Sequence, residues 1–381
     1  MNMARTGVVV ERSGDQASVR AIELPPADPS EGDAQLELVA AEVLPLDVQI
    51  TQGTNARAVF PVRAGQSAVA RRPGTGELVY VQGGPQGMGI SRPGTFASSF
   101  RAPASTVVPL AAGMDPLAAA AGMSSAVSAR LALFETGGYQ PGDIVLVLGA
   151  SGAVGLAALQ LARANGSTVV GVSRDPGALA EIAGDAVAGV ILCTPAQMGP
   201  AVSDATGGIG ADVVVDCLGG DVLSAALNAG APGCRHVVVG YLAGLEPTIS
   251  IGALLARRST IAGFNVHMAS VESRDAATRA ALGDLADGTI QMPPARTFPL
   301  SQVADAYAQV GGRQRVLLVP DAAAPPACPP AGRPRGVGAA DLSPRGLVGL
   351  PTEAQAKLEK SQVRIFSGTN RISWGLGRDR T

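Results

Sequence analysis

The chain has 381 residues, of which 46 % are hydrophobic and 16 % charged, enough for two domains with cores of their own and too apolar for a fully disordered chain. Lys and Arg number 29 against 31 Asp and Glu, a net charge of −2, so there is no global basic field to hold nucleic acid or an anionic membrane. No apolar run of about 20 residues stands uninterrupted, and Met1–Thr6 lacks an apolar leader core, so the expectation is a cytoplasmic protein with no membrane partner.

In chain order, Gly7–Arg12 and Gln35–Val43 read as strands, with Pro25, Pro26 and Pro29 between them. Short β-like segments follow at Ala68–Ala70, Leu78–Gln82, Phe96–Ala102 and Thr106–Leu110, separated by Gly and Pro, which predicts a small barrel or sandwich. Leu117–Thr136 is Ala-rich with helical spacing and closes at Gly137-Gly138.

An alternating β/α rhythm comes next. Ile144–Leu148, Thr168–Val172, Val190–Cys193, Val213–Cys217 and His236–Val239 read as buried strands, with helices at Val154–Asn165, Ala178–Ala183 and Val222–Ala229. Fully apolar strands alternating with helices predict a parallel sheet covered on both faces. Helices at Ala276–Asp287 and Val303–Val310 and a strand at Val316–Val319 follow. After Pro320 the periodicity ends, and residues 321–381 read as a disordered tail in which Thr352–Ser361 has the pattern of a short capped helix.

The four cysteines, Cys193, Cys217, Cys234 and Cys328, include no C-x-x-C pair, and the two histidines are His236 and His267. Zinc sites draw three or four such ligands together. The first 192 residues hold neither Cys nor His, so no metal site is expected.

The strongest motif is the strand Ile144–Leu148 followed by Gly149-Ala150-Ser151-Gly152-Ala153-Val154-Gly155. Small residues let the chain turn from strand into helix, let its backbone approach a pyrophosphate, and let the helix pack closely on the sheet. The spacing is G-x-x-G-x-x-G, and its place between a buried strand and a helix points to a dinucleotide. It also comes near the G-x-S-x-G elbow of serine hydrolases, but Ala153 stands where the last glycine belongs. The next strand ends in Ser173-Arg174 rather than in the Asp or Glu that bonds a ribose 2′-hydroxyl. A hydroxyl and a guanidinium suit a 2′-phosphate, so the expected cofactor is NADPH.

These residues resemble the medium-chain dehydrogenase/reductases, specifically the zinc-independent quinone oxidoreductase and enoyl reductase branch. Ala150–Gly155 is similar to that branch's A-x-G-x-V-G turn, Pro45-Leu46-Asp47 and Gln52-Gly53-Thr54 to its N-P-x-D and S-G-T-Y stretches, and Gly94-Thr95-Phe96-Ala97 to its G-T-Y-A strand. Ala118–Leu133, Asp212–Gly220, Gly240, Gly263-Phe264 and Val316–Pro320 continue the likeness, which covers roughly residues 5–320.

The resemblance implies an α/β fold: a GroES-like β-barrel domain over residues 1–128, completed by 265–320, and a Rossmann doubly wound parallel sheet domain over 129–264 that binds NADP. It implies zinc-free hydride transfer from NADPH to an activated C=C bond or quinone, and a homodimer paired near Ile249–Leu255 and Thr260–Phe264. It places Gly149, Ala150, Ser151, Gly152, Ala153, Val154 and Gly155 on pyrophosphate, Ser173 and Arg174 on the 2′-phosphate, and Ser128, Leu218, Gly219, Gly240 and Phe264 on the nicotinamide side. Leu44 stands where the family has asparagine, Asn55 where it has tyrosine, and Gln66-Ser67 where it has an acid.

Candidate catalytic residues are therefore Asn55, which could bond a substrate carbonyl, and Tyr241, which could donate a proton from a strand end. Asn265 and His267 follow Phe264 and are further candidates near the nicotinamide. The alternative reading is an NADPH-binding sensor or scaffold with little or no turnover, favoured by the substitutions at Leu44 and Asn55.

Overall fold

The computed structural model describes residues 5–13, 16–25, 33–53, 55, 57–83, 87–173, 179, 191–192, 195–312, 314–323 and 364–365. The chain divides into two compact units: residues 1–127 with 266–331, and residues 128–265 with 332–381.

The first stretch of chain makes strands β1 (Arg5–Ser13), β2 (Gln16–Leu24), β3 (Asp33–Glu42), β4 (Val62–Arg63), β5 (Ala68–Arg71), β6 (Leu78–Val81), β7 (Ser99–Pro103) and β8 (Val107–Pro109). Helix α1 (Pro45–Thr51) lies between β3 and β4, and α2 (Pro116–Arg130) follows β8. The middle of the chain makes β9 (Val145–Leu148), α3 (Ala153–Ala164), β10 (Val169–Val172), β11 (Ile191–Leu192), α4 (Met198–Ala205), β12 (Ala211–Asp216), α5 (Gly220–Ala226), β13 (Gly230–Val238), α6 (Ile251–Arg257) and β14 (Thr260–Gly263). The chain then makes α7 (Val271–Ala286), β15 (Arg296–Pro299), α8 (Val303–Ala308), β16 (Val316–Val319) and β17 (Arg364–Ile365).

The first unit is mainly antiparallel. β1 pairs with β2 along its whole length and with β4 on its other edge. A second sheet runs β15-β16-β3-β5-β6-β8, with β7 also paired to β3. Leu36 and Leu38 on β3 and Val79 and Val81 on β6 bury their side chains against Phe96 and Phe100, the two large aromatics of this core. Proline, glycine and short apolar runs thus give a β domain, as the spacing predicts.

The second unit is a five-stranded parallel sheet in the order β10-β9-β12-β13-β14. Every residue of β9 and β10 is buried, because helices cover both faces of the sheet. From β9 the chain moves outward to β10 and later returns to β12 on the other side. The order therefore reverses between β9 and β12, where the strand ends open a crevice for ligands. The expected α/β architecture, a doubly wound parallel sheet with a separate β domain, is present.

Several elements differ from expectation. β2 and α1 have no counterpart in the predicted elements, and α7 starts five residues early because Ser270 caps it by accepting from the Ser273 N–H (3.0 Å). The predicted Leu117–Thr136 helix forms as α2 continued by a π turn over Leu131–Thr136. Together these are long and apolar enough to cross a membrane, yet 67 % of the most apolar window is buried within the protein, as in a core helix. Two residues of the tail read as structureless, Arg364–Ile365, pair in parallel with Ile191–Leu192. The helices expected at 178–183 and 352–361, together with Arg174, Cys193 and Cys328, fall outside the described residues, Leu179 excepted.

Candidate functional site

The glycine-rich turn sits at the C-terminal end of β9, beside the crevice. Gly149 and Ala150 both donate their N–H groups to the Val172 carbonyl at the end of β10 (2.9 and 3.0 Å), which ties the turn to the neighbouring strand. Gly152 donates to the Gly149 carbonyl (2.9 Å) and is itself the N-cap of α3. No side chain caps this helix, so the N–H groups of its first turn remain open to an anion, and the helix dipole favours negative charge there.

Gly155 shows why the third glycine is needed. A Cβ on it would lie 2.3 Å from the Gly149 carbonyl oxygen and 3.0 Å from the Ala150 Cα. Only glycine lets the first turn of α3 close against the loop that it follows. The Ser151 and Ser173 hydroxyls stand 2.9 Å apart, joining the turn to the residue that follows β10. The residues present fit a dinucleotide: an uncapped helix end, a backbone cradle that a Cβ would fill, and a hydroxyl pair where a ribose substituent belongs.

Two further turns close on this one. Gly149 faces the Leu218 side chain, 3.1 Å from where its own Cβ would be, and a Cβ on Gly240 would meet the Cys217 carbonyl at 2.8 Å. The structure thus brings Gly149–Gly155, Ser173, Leu218, Gly219 and Gly240 together at one end of the sheet. Phe264 follows β14 and donates its N–H to the Val238 carbonyl (2.9 Å), and Ser128 is half-buried on α2.

Tyr241 lies just past Gly240 and is 47 % exposed. Asn55, in the other unit, spends its amide oxygen on the Arg57 N–H (3.0 Å). Asn265 is exposed, and His267 sits in a single 3-10 turn, Val266–Met268.

Two features escaped the sequence reading. The first is Asp216, the last residue of β12, whose Oδ1 accepts the N–H groups of Leu218 (2.8 Å) and Gly219 (2.9 Å). An acid ending an apolar strand three residues before Gly219-Gly220 was the available signal. The second is a polar cluster inside the β domain. Asp47 accepts the Leu44 N–H (2.8 Å) and lies beside Gln66, Tyr307 and Glu42, while Glu42 faces Arg315 and Tyr80. Burial pushes the Glu42 carboxyl up to about 8 and the Asp47 carboxyl up to about 7.

Residues 153–281 match the family described as zinc-binding dehydrogenase. A 2-haloacrylate reductase from a Burkholderia species is 27 % identical over 227 residues, covering 56 % of this chain and 67 % of that protein. The quinone oxidoreductase of Sus scrofa is 26 % identical over 285 residues, covering 74 % and 86 %. Among solved structures, AibC superposes with a TM-score of 0.71 at 26 % identity, covering 84 % of this chain and 97 % of that one.

The family's description names zinc, and the Cys and His side chains described here are poor donors for it. Burial pushes the Cys217 and Cys234 thiols up to about 12 and the enclosed His236 imidazole down to about 4. Among the described residues no three His, Cys, Asp or Glu side chains converge to hold a metal ion.

Proposed function

Because the chain belongs to the medium-chain dehydrogenase/reductase family, on its quinone oxidoreductase branch, we propose that it is an NADPH-dependent oxidoreductase that reduces an activated C=C bond or a quinone without zinc. The observation that carries this reading is the Gly149–Gly155 turn, with an uncapped helix N-terminus and Gly155 in backbone contact with Gly149.

The open N–H groups at the start of α3 bind the pyrophosphate. Ser173, oriented by the Ser151 hydroxyl and followed in sequence by Arg174, binds the 2′-phosphate. NADPH, when bound, supplies a hydride for the β-carbon of an enone, enal or quinone acceptor. Ser128, Leu218, Gly219, Gly240 and Phe264 line the nicotinamide side. Asn55 bonds the acceptor carbonyl through its remaining amide N–H groups, and the partly exposed Tyr241 hydroxyl supplies the proton. Positioning of cofactor and acceptor supplies most of the rate.

A second reading is an NADPH-binding sensor without turnover. It is favoured by Asn55, which replaces the family's tyrosine and has its amide oxygen engaged in its own turn. The two are separated by titrating the protein with NADPH and NADH and following cofactor oxidation against a quinone, an enone and an enoyl thioester. Oxidation of NADPH with one acceptor is expected. Tight binding with no oxidation on all three favours the sensor, and no binding of either nucleotide sinks both readings.

Cofactor choice gives a sharper expectation. Ser173→Asp sets a carboxylate where the 2′-phosphate is bound, so the dissociation constant for NADPH should rise by about tenfold or more while that for NADH stays within about threefold. Fluorescence titration of both nucleotides on the parent and the variant checks this.

The proposed partners are a small-molecule substrate and a second copy of the chain. β14 is the edge of the parallel sheet, and Leu255 (71 % exposed) and Ile251 (62 %) on the adjoining α6 are open to solvent. Leu255→Asp is expected to convert a dimer into a monomer, read as a halved mass by light scattering. A monomeric parent would remove the homodimer from the proposal.

A further inference from the structure

Asp216 is wholly enclosed at the end of β12, yet it touches neither the glycine-rich turn nor any charged partner among the hydrogen bonds described. Its Oδ1 gathers two successive backbone N–H groups, those of Leu218 and Gly219, at 2.8 and 2.9 Å. Its own backbone carbonyl accepts from Val239 (2.7 Å) and Gly240 (3.2 Å). One residue thus holds the turn that follows β12 and the start of the segment that follows β13.

The captured turn has one shape. Gly219 has φ +65°, and a Cβ there would lie 2.9 Å from the Gly244 carbonyl oxygen and 3.1 Å from that of Gly240. The Leu218 carbonyl accepts from the Ala243 N–H (2.7 Å), and Gly219 forms a bridge with Gly244. The Leu218 side chain is left facing Gly149 of the glycine-rich turn. Take away the Asp216 carboxylate and two backbone N–H groups, one part-buried and one buried, lose their acceptor, so the turn relaxes and Leu218 moves off Gly149.

We propose that Asp216 is a positioning residue for the nicotinamide half of the cofactor, acting through the Cys217–Gly220 turn and the placement of Leu218. This rests on the NADPH reading above. It goes further by separating two halves of one site. The adenosine half depends on the Gly149–Gly155 turn and Ser173, to which Asp216 makes none of the hydrogen bonds described. The nicotinamide half depends on the turn that Asp216 shapes.

The test compares Asp216→Ala and Asp216→Asn with the parent, titrating each with NADPH and with adenosine 2′,5′-bisphosphate, which carries the adenosine and 2′-phosphate but no nicotinamide. Asp216→Ala is expected to weaken NADPH about tenfold and leave the bisphosphate within about twofold. Asp216→Asn keeps an acceptor oxygen and should restore NADPH to within about threefold of the parent. Equal weakening of both ligands by Asp216→Ala would mean a general structural role and overturns the proposal, as does unchanged NADPH affinity. Should Asp216→Ala fail to fold, Leu218→Ala carries the test: it must weaken NADPH and spare the bisphosphate, and an unchanged NADPH affinity overturns the proposal equally. A parent that binds the bisphosphate but gains nothing from the nicotinamide half overturns this inference alone. A parent that binds neither ligand overturns the cofactor reading and this inference with it.

Discussion

Gly155→Ala is expected to cost the protein at least about a hundredfold in NADPH affinity and several degrees in melting temperature. The added methyl would stand 2.3 Å from the Gly149 carbonyl oxygen, 2.9 Å from the Gly149 carbonyl carbon and 3.0 Å from the Ala150 Cα. All three are backbone atoms, and both residues are bonded to Val172 through their N–H groups, so the loop cannot yield by turning a side chain. The helix must lift instead, which moves the open N–H groups at its start away from the phosphates. Overpacking of this kind costs about 1–3 kcal/mol of stability. The control is Gly152→Ala, whose nearest contact would be 3.2 Å and whose φ of −77° suits any residue. The control should melt close to the parent. Calorimetry and nucleotide titration on both variants decide the matter, and a Gly155→Ala protein that binds like the parent would remove the close approach from the account of the site.

The second large effect concerns pH and lies in the β domain. Glu42 and Asp47 are fully enclosed, and burial raises both carboxyls, to about 8 from 4.5 and to about 7 from 3.8. Backbone N–H groups of Leu44 and Gly65, the Gln66 side chain and the Arg315 charge act in the opposite direction and do not prevail. The folded chain therefore holds protons that the unfolded chain has already released. Stability from these groups is fully present below about pH 4 and falls as pH rises, until both carboxyls are ionised in the fold above about pH 8. The slope approaches about 1.4 kcal/mol per pH unit for each group that stays protonated only in the fold. Urea midpoints measured from pH 6 to pH 9 should decline at first and level off above about pH 8. Glu42→Gln keeps the shape, removes one titration and should flatten the profile, leaving the variant more stable than the parent at pH 9. A parent whose midpoint is level across that range would show that the pair is ionised in the fold.

What could be read from the sequence was whatever depends on burial and on local turns. Val145–Leu148 is apolar throughout because its strand lies between two layers of helix, and that run alone locates the centre of the parallel sheet. The Gly149–Gly155 turn was legible for the same local reason. β2 was not, since Gln16–Leu24 scatters Arg20 and Glu23 among its apolar residues, and Arg20 finds Glu11 on the facing strand only once the hairpin has formed. What Asp216 and the Glu42–Asp47 pair do was illegible for a different reason. Their behaviour is set by what encloses them and by which N–H groups reach them, and both follow from contacts made by distant parts of the chain.

The first unit is built from two separated stretches, and this orders events on the ribosome. β3 must wait for β16: Ala41 pairs with Leu318 and Glu42 with Leu317. The second unit's parallel sheet, from β9 to β14, is complete once Gly263 has emerged. At about 5–20 residues per second, the growing β domain stays open for on the order of ten to forty seconds after Val127 is made. Through that interval Leu36, Phe96 and Phe100 lack the apolar side chains of Leu300, Val303 and Leu318 that later share their core. The nascent chain is thus most exposed to aggregation at its beginning, and chaperone dependence should concentrate in the N-terminal strands rather than in the sheet that follows them.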